Sequence, residues 1–407
     1  MRAAAERHPA ATAAHPALPG RLPQPFWVLW AGILINRLGT VVEPFLGVYL
    51  VAVRGFSVEL AGLVLGVYAG GTLLAQLMGG ALADRCGRRV TLTAGMLSNG
   101  AALIALGYAT GIIAIVVTAF AAGATVDLYR PAAQALVADL VPAADRARGY
   151  GLISWAANLG FTAAMLTGGE LAQAGFRWLF AADALTCTLF ALLAWHALPE
   201  THAPDTATER TAGFGKVLRD PVLGAFLLVV LAHMIVYQQG FTTLPIAIHA
   251  DGLPPSAYGL AMAVNGVVII VLQPLAVRWL PVGHDLNLVL VAAHTLMGGG
   301  FALTALAHST LAYAVAVSVW TLGEIAMAIA GSAIVAELAP APLRGRYLGA
   351  FGAACSLGAL IAPLIGTQLL NLDPAGLWIG CGALASAAAA GQISLTPAMR
   401  RRTHRPG

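Results

Sequence analysis

Twelve times along this chain an apolar run of about twenty residues or more recurs, and each time a short polar turn ends it. A helix rises 1.5 Å per residue and needs about 20 apolar residues to cross the hydrocarbon of a bilayer. The runs are therefore read as membrane spans near residues 26–52, 60–83, 90–109, 111–138, 148–173, 177–198, 222–248, 256–279, 286–307, 309–337, 346–370 and 375–396. Closed β-barrels also cross membranes, but barrel strands are short and alternate apolar with polar, and these runs do not. Charge usage agrees. Only 10% of the 407 residues are charged and 59% are hydrophobic, where a soluble domain carries about 25% charged residues. So little charge cannot clothe a chain of this length in water, and lipid must be its solvent. The expected fold class is an all-α membrane protein of twelve transmembrane helices. The net charge of +4 is then a question of where the arginines sit, not a nucleic-acid signal.

They sit on one side. With the N-terminus in the cytoplasm, eighteen Lys and Arg fall in cytoplasmic segments, and only Arg54 and Arg177 fall on the opposite side. Positive residues collect on the cytoplasmic side of membrane proteins, so the count sets the orientation and requires an even number of spans, with both termini cytoplasmic. The expected location is a bacterial cytoplasmic (inner) membrane. Trp27, Trp30, Trp178, Trp195, Trp279 and Trp378 fall near span ends, as interfacial anchors do. Residues 1–25 read as a short disordered cytoplasmic arm; the apolar run after them is too long for a signal peptide. One long polar connection, 199–220, divides a bundle at 26–198 from a second at 221–396, and 397–407 is a basic tail.

An internal repeat supports that division. Ala138-Asp139-Leu140-Val141-Pro142 resembles Ala336-Glu337-Leu338-Ala339-Pro340, and at the same offset Arg146 meets Arg344, Arg148 meets Arg346, Gly160 meets Gly358 and Gly168 meets Gly366. Two six-helix halves joined by a cytoplasmic linker form the parallel-repeat plan of one carrier architecture, with the site between the halves at mid-membrane.

The loop after the second span reads Gly80-Ala81-Leu82-Ala83-Asp84-Arg85-Cys86-Gly87-Arg88-Arg89. This resembles the major facilitator superfamily signature Gly-x-x-x-Asp-Arg-x-Gly-Arg-Arg, with every fixed position filled. Gly80 permits close helix approach and Gly87 a tight turn. The resemblance covers the whole chain and implies two bundles related by a pseudo-two-fold axis. It also implies a latch that holds the halves together at the cytoplasmic face when the protein opens outward. In that latch Asp84 would face the start of span eleven near Arg344 and Gly345, and Arg88 could pair with Asp139. The loop from Arg278 to Asp285 has lost the motif, so any latch there must differ. Asn36-Arg37-Leu38-Gly39, Tyr129-Arg130-Pro131 and Thr321-Leu322-Gly323-Glu324 are similar to a bacterial multidrug-efflux-like branch of drug:proton antiporters. In span five of such exporters a Gly-Pro signature is common; here Met165 stands where proline would, and the proline appears in the second half as Pro363.

Ionisable groups inside hydrocarbon cost several kcal/mol and point to function. Arg37 and Glu43 lie in span one, Asp127 and Arg130 in span four, His233 in span seven and Glu324 in span ten. These are the first helices of the four three-helix units, which the resemblance places around a central cavity. Arg37 lies roughly 16 Å above the cytoplasmic start of its span and Arg130 roughly 13 Å from the cytoplasmic end of its own, both near mid-membrane. Alternatives remain for each. Asp127 and Arg130, three apart, either neutralise each other or serve transport. Arg37 either bridges to Asp127 or orients an anionic substrate. Glu43 is either in the path or too near the outer surface to matter. Glu324 has no arginine in its own helix, so it is either a proton-loading group or a hydrogen-bonded structural one. His233 is either a core histidine or a cavity group. Asp183 and Glu170, near the outer ends of their spans, read as structural. Gln238, with Tyr237 and Gln239, and Asn265 with Gln273 either bind substrate or bond across helices.

No cofactor is expected. The chain has no GxxxxGK[ST] loop for a nucleotide, no nucleophile–base constellation of an enzyme, and four cysteines and ten histidines without metal spacing. The expected function is secondary active transport of a small molecule by alternating access, proton-coupled and in the export direction, with Glu324 or Asp127 carrying the proton. A proton-coupled uptake symporter is the alternative. Expected partners are the substrate, protons and the lipid bilayer, without nucleic acid; the chain is expected to be a monomer.

Overall fold

A computed structural model describes residues 22–142, 145–201, 219–279, 285–340 and 343–403. Most of the N-terminal arm, residues 202–218 of the connection and the last four residues of the tail lie outside the described residues. Among the described residues there is no strand, and the chain forms twelve long helices. In order they are α1 Gln24–Val53, α2 Val58–Cys86, α3 Arg88–Tyr108, α4 Ile112–Leu140, α5 Arg146–Ala174, α6 Arg177–Ala197, α7 Pro221–Thr242, α8 Pro255–Trp279, α9 Leu286–Thr304, α10 Thr310–Leu338, α11 Arg344–Leu372 and α12 Pro374–Thr403. Eleven of them are apolar and long enough to cross a membrane. The other, α5, is as long, at 29 residues, but carries Asn158, Thr162 and Gln173 on a face turned toward the opposite set of helices. There Thr162 stands against Gly266 and Gln173 hydrogen-bonds Ser256.

Helices α1–α6 pack among themselves, as do α7–α12; the two sets meet mainly through α2 on α11 and α5 on α8. Most buried side chains are apolar, with Phe26, Phe45, Phe190, Phe226, Phe301 and Trp320 among the largest. Trp27, Trp178 and Trp195 are exposed at the rim, as interfacial anchors are. Trp378 is not: it is buried and stacks on Phe301, which stacks in turn on Trp320. Its position three residues into the apolar stretch hid its inward direction.

Three helices are broken at mid-height, each with a proline just beyond the break. Proline lacks the N–H that would bond four residues back. Pro44 follows the break of α1, which is helical to Gly39 and resumes at Val42. Pro131 follows the break of α4 at Asp127 and Leu128. Pro245 follows the interruptions of α7 between Tyr237 and Leu244, after which the chain continues helical through Ala250. The interruptions put Thr40, Asp127 and Gln238 at the seam between the two sets of helices.

That seam differs at its two ends. At the end holding Arg54 and Arg177 the halves touch. Phe45 meets Tyr258 edge-on at 5.2 Å, and Asn371 hydrogen-bonds Glu59. A Cβ on Gly259 would stand 2.3 Å from the Met165 carbonyl oxygen. At the arginine-rich end the helices part. Cβ atoms built on Gly80 of α2 and on Gly345 and Gly349 of α11 meet nothing within 4 Å among the described residues.

Candidate transport chamber

The parted helices enclose a chamber of about 610 Å³ that lies on the seam, and the clear space at Gly80, Gly345 and Gly349 places its opening at the arginine-rich end. Arg37, Glu43, Asp127, Arg130, Gln238, Asn265 and Glu324 all line it. His233 does not. It is buried inside the second set of helices, with its Nδ1 2.9 Å from Nδ1 of His294. Helical periodicity fixes which residues share a face but not which face is inward when both faces are apolar, so its direction was not readable. The lining also extends beyond the four helices expected to supply it. Gln76 of α2, Asn158 of α5 and Ser356 of α11 face the same space. Uncharged polar residues in the middle of an apolar run were the one sign of them.

The two walls hold their charges differently. On the wall from α1–α6, Arg130 Nε lies 2.6 Å from Asp127 Oδ1, the pairing their three-residue spacing allows. Asp127 is buried, while Arg130 is half exposed to the chamber. Gln76 Nε2 donates to Asp127 Oδ2 at 3.5 Å, and Ser356 Oγ donates to Gln76 Oε1 at 3.2 Å, carrying the network across the seam from α4 through α2 to α11. Arg37 does not bridge to Asp127. Its Nε is buried without a hydrogen-bond partner, and it has no ion pair among the described residues. Glu43 lies open to the chamber.

On the opposite wall Glu324 has neutral partners. Tyr237 OH donates to Oε1 at 3.0 Å and Asn265 Nδ2 to Oε2 at 2.7 Å. Asn265 Nδ2 also reaches Thr321 Oγ1 at 2.9 Å. No cation pairs with Glu324 among the described residues. A carboxyl so placed is hydrogen-bonded in its charged form and loses no ion pair on taking a proton. Gln238 lines the chamber, whereas Gln239 is buried and donates to the Ala362 carbonyl of α11 at 3.1 Å.

The signature loop forms a compact hub at the arginine-rich end. Gly87 adopts φ +92° between α2 and α3, and a Cβ there would collide with the Glu200 carboxylate. Glu200 accepts the N–H groups of Arg89 and Val90 at 3.1 and 3.2 Å, capping the start of α3. Arg88 is buried, with its Nε 3.2 Å from Asp139 Oδ2. Thr201 Oγ1 donates to the same carboxylate oxygen at 2.8 Å. Arg85 stands in the last turn of α2 and Arg344 at the start of α11, so two like charges face the parted end.

The second half is tied differently. Asp220 caps α7 by accepting the N–H groups of Val222 and Leu223, and it also accepts from Tyr347 OH at 2.6 Å and pairs with Arg402 at 2.7 Å. Burial works against its charge, but the hydrogen bonds from Tyr347, the Leu223 N–H and Arg402 outweigh that and hold its carboxyl below the ordinary value of 3.8. Asp285 caps α9 and is held in the same way by Arg400 and Asn287.

A membrane protein of two six-helix sets around a polar, one-end-open chamber is built as a carrier of small molecules. The profile of the Major Facilitator Superfamily matches residues 29–363, and the chain belongs to that family. It is 24% identical over 362 residues to the uncharacterized MFS-type transporter YttB of Bacillus subtilis, covering 86% of this chain and 89% of that one. It is 27% identical over 323 residues to the multidrug resistance protein MdtH of Cronobacter sakazakii, covering 78% and 80%. Among solved structures, a peptide transporter POT in complex with sulfate superposes with a TM-score of 0.79 at 16% identity, over 93% of this chain and 95% of that one. A bacterial homolog of the human lysosomal transporter Spinster, in an inward-facing and occupied conformation, gives 0.74 at 14% identity over 94% and 98%. At these identities the structural likeness establishes the fold. The twelve-helix fold and the family are therefore settled, and the protein is a multi-pass membrane transporter.

Proposed function

We propose that the protein exports a small molecule across a bacterial cytoplasmic membrane by alternating access, in exchange for protons. The observation that carries this reading is Glu324, a carboxyl in the chamber wall held only by Tyr237 and Asn265. Proton on and proton off are both hydrogen-bonded states at that position, and the chamber gives water access to it. The positive-inside rule makes the arginine-rich end cytoplasmic, so the chamber is open inward. Substrate enters from the cytoplasm, and Glu324 gives up its proton there. The halves then rock so that the outer seam opens, and a proton taken from outside displaces the substrate. The hub around Gly80, Asp84, Arg85, Gly87, Arg88, Arg89 and Asp139 would meet Arg344 and its neighbours on α11 in the outward-open state, and would bias the two-state equilibrium. The multidrug resistance relative supports the export direction.

The test begins with a susceptibility screen that compares a deletion strain with its complemented form, with and without a protonophore. A compound whose tolerance is restored only without protonophore is then offered to energised inverted vesicles. Accumulation in wild-type vesicles, and its loss with Glu324→Gln, is the expected result. Uptake by intact cells in place of export would reverse the direction, and full gradient-driven transport by Glu324→Gln would remove that residue from the mechanism.

A further inference from the structure

Asp183 lies on α6, away from the chamber surface, and its carboxylate is buried. Its neighbours are unusual for a structural acid. Oδ2 accepts the Val42 N–H at 3.3 Å, the first N–H beyond the break of α1, and Cys187 Sγ donates to Oδ1 at 3.8 Å. No arginine or histidine pairs with it among the described residues. Beside it is a small void with about 10 Å³ of room for a water centre, the size that holds one ordered water. Asn36, Arg37, Thr40, Glu43, Asn99, Asp127 and Arg130 also border this void. Five of them, Arg37, Thr40, Glu43, Asp127 and Arg130, line the main chamber as well. The void thus lies between Asp183 and the chamber, and the two spaces share a polar wall.

The joint in α1 gives that connection a consequence. The break separates Arg37 from Glu43, and the segment after it carries Glu43 into the chamber. Asp183 holds the start of this segment through the Val42 N–H, with the Val41 N–H beside it also turned to the carboxylate. A charged carboxylate accepts such a bond strongly. A protonated carboxyl accepts it weakly and turns its new O–H toward another acceptor, which the void supplies.

We propose that Asp183 is a second proton-holding group of the carrier, loaded from the chamber through this water position, and that its protonation loosens the outer segment of α1. The proton comes from chamber water, rests on a carboxylate oxygen of Asp183 and returns by the same path; no other bond is made or broken. The charged and titratable groups that face this site are Arg37 and Glu43 from α1, Tyr68 from α2, Asp127, Tyr129 and Arg130 from α4, and Cys187 from its own helix; α3 contributes the neutral Asn99. Protons bound here add to those carried by Glu324, so the proposal rests on the proton-coupled reading for its role in transport, but not for the titration itself.

The experiment uses purified full-length protein in lipid nanodiscs, without substrate. Infrared difference spectra across a pH titration count protonating carboxyls, and hydrogen exchange follows the Val42 amide after correction for intrinsic rate. Asp183→Asn keeps a side-chain oxygen to accept the Val42 N–H but cannot take a proton. The expected result is loss of one carboxyl band in Asp183→Asn. In the wild type the Val42 amide exchanges roughly fivefold faster in the protonated state, the effect of losing a cap, and in Asp183→Asn this pH response disappears. Glu324→Gln should lose a different band and keep the Val42 response. Asp183→Glu, which keeps a proton-taking carboxyl on a longer chain, supplies the comparison if Asp183→Asn does not fold: its band and its Val42 response should both shift from those of the wild type. Spectra unchanged by either substitution, or a Val42 response that persists in Asp183→Asn, would overturn the proposal. If the Asp183 band titrates but the wild type shows no gradient-driven transport, the proton-coupled export reading fails and Asp183 remains a proton site.

Discussion

The two ends of the seam between the halves use the same residue type in opposite ways. At the outer end a glycine marks a finished contact: Gly259 stands against the Met165 backbone and Gly169 against Ser256, with no room for a methyl group. At the arginine-rich end Gly80, Gly345 and Gly349 stand clear of their neighbours among the described residues. Small residues let membrane helices approach closely, so the closed contacts belong to a state whose chamber opens at the arginine-rich end. The glycines standing clear on α2 and α11 are placed to make the corresponding contacts once the chamber faces outward. The fold thus holds one seam made and one seam waiting.

One substitution made at both ends should therefore act in opposite directions. In Gly259→Ala the new methyl would stand 2.3 Å from a backbone oxygen, which no rotamer change can relieve. Overpacking of that kind costs about 3 kcal/mol, a shift of more than a hundredfold toward the state in which the outer seam is open. In a background without native cysteines, Phe161→Cys at the chamber wall should then react rapidly with an impermeant thiol reagent added from outside. Labelling as slow as in the Gly259 parent would mean that the outer contact is not what keeps the chamber closed there.

The arginine-rich end can be weakened within each half. Arg88 is 7% exposed and Asp139 31%, so Arg88→Ala removes the buried member of the pair and its packing, while Asp139 stays partly in water and bonded to Thr201. The expected loss is about 2 kcal/mol of stability. Arg400, at 55% exposed, should cost less than 1 kcal/mol when replaced by alanine. Equal losses in thermal melts would show that the hub of the first half is no firmer than the ties of the second.

How much of this was readable follows from what each signal measures. Length and apolarity locate spans because the bilayer demands both: α2 runs Val58–Cys86 where the apolar run suggested 60–83. Charge in an apolar run marks Arg37, Asp127, Arg130 and Glu324 as chamber residues because burying charge in lipid is so unfavourable. Gln76 and Ser356 send no such signal, since a neutral polar group can bond within its own helix. The direction of His233, left open between core and cavity, and that of Trp378 were unreadable for a different reason. Polarity and nearness to a span end say nothing about rotation about the helix axis, and only packing against His294 and Phe301 settles it. The joints before Pro44, Pro131 and Pro245 were not read from the sequence, because what each joint presents to the chamber depends on the partner helix. Asp183 looked structural because its nearest helix end is the outer one; its link to the joint in α1 exists only in three dimensions.

At the waiting end, Gly349→Ala should do no harm in the inward-open state. The added methyl meets open space, and alanine is favoured over glycine inside a helix by about 1 kcal/mol. Thermal stability should rise slightly while transport slows, because the same methyl obstructs the outward-open contact. A fall in stability would show that α2 and α11 already touch at this end.

The smallest effect belongs to Asp220, which ties the start of α7 to Tyr347 and Arg402. Its folded carboxyl titrates below the ordinary value of 3.8. The folded state therefore binds its proton less readily than the unfolded chain does. The stabilisation is complete at pH values above 3.8 and is lost as the pH falls through the lower folded value. Between pH 7 and pH 5 the melting temperature should be insensitive to this group. Below about pH 4 the wild type should lose a degree or two that Asp220→Asn has already lost. A parallel decline of both proteins through that range would show that Asp220 contributes nothing through its charge, and that the tie to Arg402 holds the second half no more firmly than an exposed pair would.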